Sequence, residues 1–303
     1  MSRVLVIRLG ALGDFVLSFA PFAAIRAHHA QDHVTLLTTP PFTELARASP
    51  WFDHVAVDVR PAWWQPGLVW RLALLLRSFD LVYDLQTSRR SAIYYRLASS
   101  PPWSGVARGC SLPHRNPRRD AMHTLERQGE QMADAGVGPA TPDLSWLAAA
   151  ASPPVPRPFA LLVPGAAPHR PEKRWPAACY GALASRLQAR GIAPVVVGVA
   201  SEAWLAGGIR AVCPAAIDLT GQTTLPGLAA LAARAELAVG NDTGPMHLAA
   251  AMGAPSVVLF SSGSDPALTA PRGPGGTWPV VLRAPDLADL TVERVAAALP
   301  LPP

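Results

Sequence analysis

The stretch Glu236-Leu-Ala-Val-Gly-Asn-Asp-Thr-Gly-Pro-Met-His-Leu-Ala-Ala-Ala-Met-Gly-Ala-Pro255 decides the fold of this chain. Its apolar residues 237–239 predict a short buried strand, residues 240–244 a tight turn, and residues 245–252 a helix. The apolar run 256–260 predicts a second strand, so the whole segment is typical of a βαβ unit. Proline at 245 suits the first helical position, where an N–H group would lack a partner in any case.

The turn in this unit predicts a binding site for an anion. Asp242 or Thr243 can cap the helix, and Gly244 allows a ligand to approach the backbone. Free N–H groups and the positive end of the helix dipole then favour a phosphate group. An ordinary capped helix would explain Asp242 and Pro245 without a ligand. His247 favours the ligand site, because a polar imidazole has little reason to lie in a helix of Ala, Leu and Met residues.

The composition indicates a folded protein with two α/β units. The chain has 303 residues, of which 50% are hydrophobic and 16% are charged, so each of two units can bury a core. A net charge of +5 is modest for this length and argues against a nucleic-acid partner. The three cysteines show no metal-like spacing and fit a reducing cytoplasm. Without a cleavage signal or a long apolar run, we expect a cytoplasmic protein that is at most peripheral on a membrane.

Lys173 is the only lysine of the chain, whereas arginine is abundant. A lysine among so many arginines indicates a position where a compact ammonium group is needed. Chance under codon bias is the rival explanation.

The N-terminal segment predicts a second site at the edge of a sheet. Residues 3–8 form a predicted strand, residues 9–14 a turn with two glycines, and residues 15–29 a helix. The segment lacks the GxGxxG pattern of dinucleotide folds, which argues against an NAD enzyme. Asp14 lies at the junction of turn and helix, where it could simply cap the helix. The more specific hypothesis is that Asp14 acts as a general base, whose ionised form the helix N-terminus stabilises.

The first half continues with strands and helices in alternation, which indicates a parallel, doubly wound sheet. Predicted strands cover residues 34–37, 54–59 and 81–84, and predicted helices cover residues 42–48, 67–79, 91–98 and 123–135. Within this half, the segment 62–77 is apolar, with tryptophans at one end and arginines among its residues. It could rest on a membrane surface, although we favour a helix that covers the sheet.

The segment 85–119 has no acidic residue and contains seven arginines. They are Arg89, Arg90, Arg96, Arg108, Arg115, Arg118 and Arg119. Such a stretch is either a solvated surface or a site that attracts an anionic partner. Arg89 and Arg90 follow a predicted strand, so we expect an anionic acceptor near these two.

The proline-rich segment 151–158 cannot hold regular structure and predicts a boundary. We expect an N-terminal domain over 1–152, a linker over 153–158 and a C-terminal domain over 159–303. The second domain repeats the strand and helix alternation and ends in a helix over 291–299, which Thr291 can cap. Its strand-tip loops emerge at one edge, where open α/β sheets bind ligands.

Several motifs, in order along the chain, resemble glycosyltransferase family 9, the bacterial ADP-heptose:lipopolysaccharide heptosyltransferases and their relatives. They are Arg8-Leu-Gly-Ala-Leu-Gly-Asp14, Pro164-Gly165, Lys173-Arg-Trp-Pro176, Asn241-Asp-Thr-Gly-Pro-Met-His247 and Asp265-Pro266. The resemblance implies a GT-B architecture, in which two Rossmann-like domains face a cleft. It implies that the acceptor binds the first domain and the nucleotide-sugar the second, with inverting, metal-independent transfer and no cofactor.

The resemblance also implies roles for individual residues. Asp14 would be the base that deprotonates the acceptor hydroxyl, and Lys173 would offset charge on the leaving diphosphate. Glu202 would accept hydrogen bonds from the ribose. The other implied donor-binding residues are Gly165, Ala166, Thr223, Asp242, Thr243, Gly244, Pro245 and His247. The implied acceptor-binding residues are Arg8, Gly13, Arg89 and Arg90.

Three functions stay open at this stage. The first is transfer of heptose from ADP-heptose to an anionic lipopolysaccharide core at the cytoplasmic face of the inner membrane. A family member could instead use another nucleotide-sugar or glycan acceptor, since residues 166–171 and 261–264 depart from the usual motifs. The second is a GT-B sugar-nucleotide epimerase, which would need further acid and base carboxylates. The third is a nucleotide-binding protein without activity, which the presence of both Asp14 and Lys173 disfavours.

Overall fold

A computed structural model describes residues 1–167 and 169–300 of the chain. The chain divides into two compact units, the first formed by residues 1–143 and the second beginning at Leu144. Each unit contains one parallel sheet whose strands alternate with helices along the chain. The predicted α/β class, with two Rossmann-like doubly wound domains, is therefore confirmed.

In the described part of the first unit, six strands form a sheet in the order β3-β2-β1-β4-β5-β6. They are β1 (Arg3–Ile7), β2 (His33–Thr38), β3 (His54–Val57), β4 (Leu81–Asp84), β5 (Trp103–Gly105) and β6 (Leu112–Pro113). Val4 of β1 pairs in register with Val34 of β2 and with Leu81 of β4. The strand order reverses between β1 and β4, so their carboxyl ends flank a switch point, where such sheets bind ligands.

The helices of the first unit follow the sequence pattern with one exception. They are α1 (Leu12–Val16), α2 (Phe19–His28), α3 (Thr43–Ala48), α4 (Pro66–Leu76), α5 (Arg89–Leu97) and α6 (Thr124–Asp134). The prediction of one helix over 15–29 is wrong, because the chain breaks at Leu17 and Ser18. The Ser18 hydroxyl donates to the carbonyl of Asp14 at 2.8 Å and accepts from Gln128 Nε2 at 3.0 Å. Hydroxyl bonds of this kind compete with the helical backbone ladder.

The second unit repeats this topology. In its described residues the sheet order is β12-β11-β10-β7-β8-β9. The strands are β7 (Phe159–Val163), β8 (Ala193–Val196), β9 (Ile217–Asp218), β10 (Leu237–Asn241), β11 (Ser256–Phe260) and β12 (Val280–Arg283). The helices are α7 (Ser145–Ala148), α8 (Ala177–Ala189), α9 (Ala203–Val212), α10 (Leu225–Ala232), α11 (Gly244–Ala251), α12 (Pro266–Thr269) and α13 (Val292–Ala297). Its switch point lies between β7 and β10. Thr291 caps α13 as predicted, because its hydroxyl accepts from the N–H of Arg294.

The division between the units falls earlier than the proline-rich segment. Residues 151–158 contain no helix or strand, which agrees with their composition. They belong to the second unit nevertheless, because α7 precedes them and packs against α10. The first unit therefore ends at Asp143, before the predicted boundary at 152, and the binding role predicted for each domain stays a prediction.

Both units bury most of the strands at the switch points. Val4 to Ile7 of β1 and Phe159 to Leu162 of β7 have no solvent-exposed surface. Continuous apolar runs are typical of parallel strands that have both faces covered. Among residues 1–167 and 169–300, no helix combines the length and the apolar character that crossing a membrane requires.

Candidate active site

Asn241 connects the loops at the switch point of the second unit. It ends β10 with no exposed surface. Its Oδ1 accepts hydrogen bonds from the N–H of Trp175 and the hydroxyl of Tyr180, both at 3.0 Å. Its Nδ2 donates to the carbonyls of Pro164 at 2.8 Å and Gly165 at 3.3 Å. One side chain therefore ties the loop after β7 and the start of α8 to the end of β10. The sequence analysis gave Asn241 no role, although an amide that directly follows an apolar strand is a recognisable signal.

Lys173 and Asp242 form an ion pair beside this network. Lys173 Nζ lies 2.6 Å from Oδ2 of Asp242, and the two side chains are only 14% and 8% exposed. The hydroxyl of Ser264 donates to the same Oδ2 at 2.6 Å. Charge-assisted bonds of this length are among the stronger contacts in proteins. The loops after β7, β10 and β11 therefore converge at the Asp242 carboxylate.

The prediction that Asp242 or Thr243 caps the helix after the turn is wrong. Thr243 occupies the N-cap position of α11, but its side chain makes no capping hydrogen bond. Asp242 contacts Lys173 instead. Gly244 and Pro245 open α11 and are half-buried, and His247 is buried in the same helix with 5% exposure. That these residues contact a donor stays a prediction.

Glu202 lies over two glycines at the same edge of the sheet. A Cβ atom at Gly165 would lie 2.2 Å from Oε1 of Glu202, and one at Gly198 would lie 2.7 Å from its Oε2. The carboxylate also accepts a hydrogen bond from the N–H of Val199 at 3.0 Å. Glu202 is therefore fixed against the ends of β7 and β8, because the glycines leave room for its side chain. Its predicted role toward a ribose is untested.

The remaining predicted donor residues have different surroundings. Ala166 is buried, and its carbonyl accepts a hydrogen bond from Arg174 at 3.1 Å. Thr223 is half-buried next to Thr224, whose hydroxyl caps α10. In the altered loop over 166–171, residue 168 lies outside the described residues.

Asp14 pairs with Arg8 at the switch point of the first unit. Asp14 lies in the first turn of α1 with its side chain 41% exposed, and Gly13 is buried beside it. Its Oδ1 lies 3.2 Å from Arg8 Nη2, and the Arg8 guanidinium also donates to the carbonyl of Leu85. Burial lowers the pKa of Arg8, and the nearby Asp14 acts in the opposite direction. The carboxylate is accessible and oriented by a buried cation.

A cavity opens next to the turn that precedes Asp14. Its lining includes Leu9, Gly10, Phe42, Val59 and Arg60. Gly10 has φ +115°, and a Cβ atom at this position would lie 2.5 Å from the Phe42 ring. Glycine is therefore required here for both its backbone conformation and its small size. This cavity is not recognisable from the sequence, because its walls come from three distant segments.

Asp84, at the end of β4, is a buried carboxyl next to Arg8. Its Oδ1 accepts from the N–H of Gln86 at 3.1 Å and of Thr87 at 2.9 Å. Burial raises the pKa of Asp84 to about 6, although these hydrogen bonds and the charge of Arg8 act in the opposite direction. Asp84 is fully buried.

Arg89 and Arg90 differ in their availability to an acceptor. Arg89 is exposed at the start of α5. Arg90 donates to the hydroxyl of Tyr94 at 2.6 Å and to the carbonyl of Pro61 at 2.7 Å, and it stacks on the Trp63 ring at 4.9 Å. Arg90 is thus held by its own unit, and acceptor binding by both arginines stays a prediction.

The comparisons with known proteins agree with these motifs. The model of glycosyltransferase family 9 (heptosyltransferase) matches residues 69–281. The chain belongs to this family. It is therefore a glycosyltransferase. In the described part of the chain, no three His, Cys, Asp or Glu side chains are grouped as a metal site requires.

Relatives cover the chain to different extents. Lipopolysaccharide heptosyltransferase 2 of Salmonella typhimurium is 28% identical over 89% of this chain and 85% of its own length. Lipooligosaccharide heptosyltransferase 2 of Haemophilus influenzae is 34% identical over 38% of this chain, a match that spans about a third (34%) of that relative. The E. coli ADP-heptose lps heptosyltransferase II structure has a TM-score of 0.77 at 23% identity, covering 98% of this chain and 97% of that one. This likeness shows the GT-B fold.

We expect Asn241→Asp to destabilise the protein. The second carboxylate oxygen would face the carbonyls of Pro164 and Gly165, which now accept from the amide. Leaving buried acceptors without a donor should lower the free energy of unfolding by on the order of 3 kcal/mol. Urea denaturation measures this change. Gln222→Glu is the matched control: its exposed amide donates to the carbonyl of Asp218 at 2.9 Å, and because solvent can replace this bond, stability should change little. Equal effects of the two variants would contradict the role given to Asn241.

We expect Asp84 to make stability depend on pH between about 4 and about 6. The unfolded chain loses the proton of this carboxyl near its ordinary pKa, whereas the folded protein keeps it up to about pH 6. The folded state binds more protons in this window, so the free energy of unfolding falls as pH rises. The contribution is on the order of 2–3 kcal/mol. Asp84→Asn should remove it and Asp120→Asn, at an exposed position of a short 3₁₀ helix, should not. Denaturation curves at pH 4, 5, 6 and 7 provide the comparison.

Proposed function

We propose that this protein transfers heptose from ADP-heptose to an acceptor in the inner core of lipopolysaccharide, with inversion at the anomeric carbon and without a metal ion. The family and its full-length relatives support heptose transfer in lipopolysaccharide assembly in general. The donor, the inversion and the residue roles are our own assignments. The observation that carries them is the accessible Asp14 carboxylate, which the buried Arg8 orients at a switch point.

Asp14 is the proposed base. In the transfer, an acceptor hydroxyl attacks the anomeric carbon, its proton passes to Asp14, and the bond from the sugar to the diphosphate breaks. The carboxylate is 41% exposed and can reach an acceptor, while Arg8 is 3% exposed and limits its orientation. A positioned base of this type accelerates reactions by roughly 10²- to 10⁴-fold. Arg8, Gly13, Arg89 and Arg90 are the proposed acceptor-binding residues.

Lys173 is the proposed cation for the leaving diphosphate. It lies beside the turn that starts α11, and its ammonium group is fixed by Asp242. A fixed charge needs no reorganisation when the diphosphate develops its charge. Glu202 would bind the ribose, while Gly165, Ala166, Thr223, Thr243, Gly244, Pro245 and His247 would surround the nucleotide-sugar. Lys173 and Asp242 are the two members of this set that share an ion pair.

The alternatives receive less support. A family member that uses another nucleotide-sugar or glycan acceptor would keep every contact described above. Only a test with different substrates can therefore distinguish it from a heptosyltransferase. A GT-B epimerase is not favoured, because the family model and the full-length relatives are heptosyltransferases. A thermal-shift comparison of ADP-, GDP- and UDP-sugars identifies the donor through the linkage of binding and folding.

The proposed acceptor also suggests where the protein works. Lipopolysaccharide precursors are anchored in a membrane by their lipid part. We therefore place the enzyme in the cytoplasm, peripheral on the cytoplasmic face of the inner membrane. Its partners would be the nucleotide-sugar and the anionic core glycan.

Asp14→Asn should lower kcat at least about 100-fold, because the amide cannot accept the proton of the acceptor hydroxyl. Donor binding, measured by calorimetry, should stay within a few-fold of the parent protein. Glu44→Gln, an exposed carboxyl on α3, serves as the control and should leave kcat unchanged. Full turnover by the Asp14→Asn protein would remove the assignment of the base.

Lys173→Ala should reduce kcat/KM for the donor by roughly 100-fold, while the KM for the acceptor changes little. The substitution also leaves the carboxylate of Asp242, 8% exposed, without its cation. The double variant Lys173→Ala with Asp242→Asn removes that unpaired charge. If the double variant regains donor use, Lys173 serves only to neutralise Asp242. A lasting defect in both variants supports direct action on the diphosphate.

A further inference from the structure

The first unit exposes large apolar side chains on α4 and the loop before it. We call Trp63, Trp64, Trp70 and Leu74 the tryptophan patch. Trp64 is 84% exposed and Trp70 is 62% exposed. Trp70 and Leu74 are four residues apart and share one face of α4. The opposite face of the helix is buried through Leu72, Ala73 and Leu76. The segment 62–77 therefore covers the sheet with one face, as predicted, and exposes a second apolar face.

Exposed arginines lie in the same segment as the tryptophan patch and on the neighbouring helix. The segment 59–79 contains Arg60, Arg71 and Arg77 and has no Asp or Glu. Helix α5, which packs beside α4, exposes Arg89, Ile93 and Arg96 at a spacing that aligns them along one face. The charge next to the patch is consequently positive.

The loop that carries Trp63 and Trp64 is held in place. The Arg90 guanidinium stacks on the Trp63 ring and donates to the carbonyl of Pro61. Tyr94 holds Arg90 in turn and donates to Asp58 at 2.6 Å. Trp64, the next residue, therefore projects from an ordered loop. Soluble surfaces rarely expose contiguous apolar patches unless they contact something.

We propose that the tryptophan patch docks on the surface of a bilayer that contains anionic phospholipids. Tryptophan has an apolar ring and an N–H group, and it prefers the level of lipid headgroups. Arginines at the rim would pair with headgroup phosphates. An amphipathic helix with this composition lies in the plane of the interface.

The location of the patch also connects docking with the proposed function. Val59 and Arg60, shortly before the patch in sequence, line the cavity next to the turn that precedes Asp14. Docking here would bring a lipid-anchored acceptor to that cavity without removing its lipid from the membrane. This step alone depends on the proposed function, whereas binding to vesicles does not.

Vesicle flotation tests the docking surface. We expect the protein to float with vesicles of phosphatidylcholine and phosphatidylglycerol, and to float less with phosphatidylcholine alone or at high salt. The double variant Trp64→Ser with Trp70→Ser should lower the binding constant at least about tenfold. Arg71→Gln with Arg96→Gln should reduce binding only to the anionic vesicles. Trp278→Ser, an exposed tryptophan of the second unit, is the control and should bind as the parent does.

Two results would overturn the proposal. One is unchanged flotation of the Trp64→Ser and Trp70→Ser variant. The other is a parent protein that binds neither vesicle type but forms dimers in light scattering, while the variant is monomeric. In that case the patch joins two copies of the chain. Transfer to a lipid-free acceptor fragment separates this proposal from the function. The tryptophan variant should keep that activity, and a parent that binds vesicles without transferring heptose would refute the function alone.

Discussion

The buried amide of Asn241 is the constraint on which the candidate donor site depends. It satisfies two donors and two acceptors from the loop after β7 and from α8, all at the end of β10. Without it, the buried N–H of Trp175 and the carbonyls of Pro164 and Gly165 would lose these hydrogen bonds. The loop that carries Lys173 is therefore held both by the hydrogen bonds of Asn241 and by the ion pair between Lys173 and Asp242. The chemistry proposed for this edge of the sheet needs both supports.

The salt bridges at the switch points of the two units differ in which partner is buried. Each sheet reverses its strand order between two central strands, and each places a salt bridge at that point. In the first unit the buried partner is a cation, Arg8, and the accessible one is a carboxylate. In the second unit both partners are largely buried. A carboxylate that solvent reaches suits proton transfer, whereas an enclosed ammonium suits the stabilisation of a fixed anion.

The fold was predictable from the sequence because buried parallel strands are continuous apolar runs bounded by turns, and β11 matches its predicted residues 256–260 fully. Contacts between distant residues were not predictable. Asp242 binds a lysine 69 residues away instead of capping α11, and Ser18 meets Gln128 across 110 residues, which breaks a helix that the periodicity favours. The burial of Asp84 and the packing of α7 on α10 were likewise not predictable, because each depends on residues that are distant in sequence. The positions of site residues at strand tips were thus foreseeable, and their partners were not.

The ion pair between Lys173 and Asp242 has a consequence for selectivity. Before any ligand arrives, the negative carboxylate cancels the charge of the only lysine, so this pair offers little attraction to a simple anion. Free phosphate gains nothing here by charge alone. Under the proposed function, a nucleotide-sugar would compensate through contacts of its base, ribose and sugar with the other proposed donor residues. Such neutrality would keep abundant small anions of the cell from occupying the enzyme as competitors.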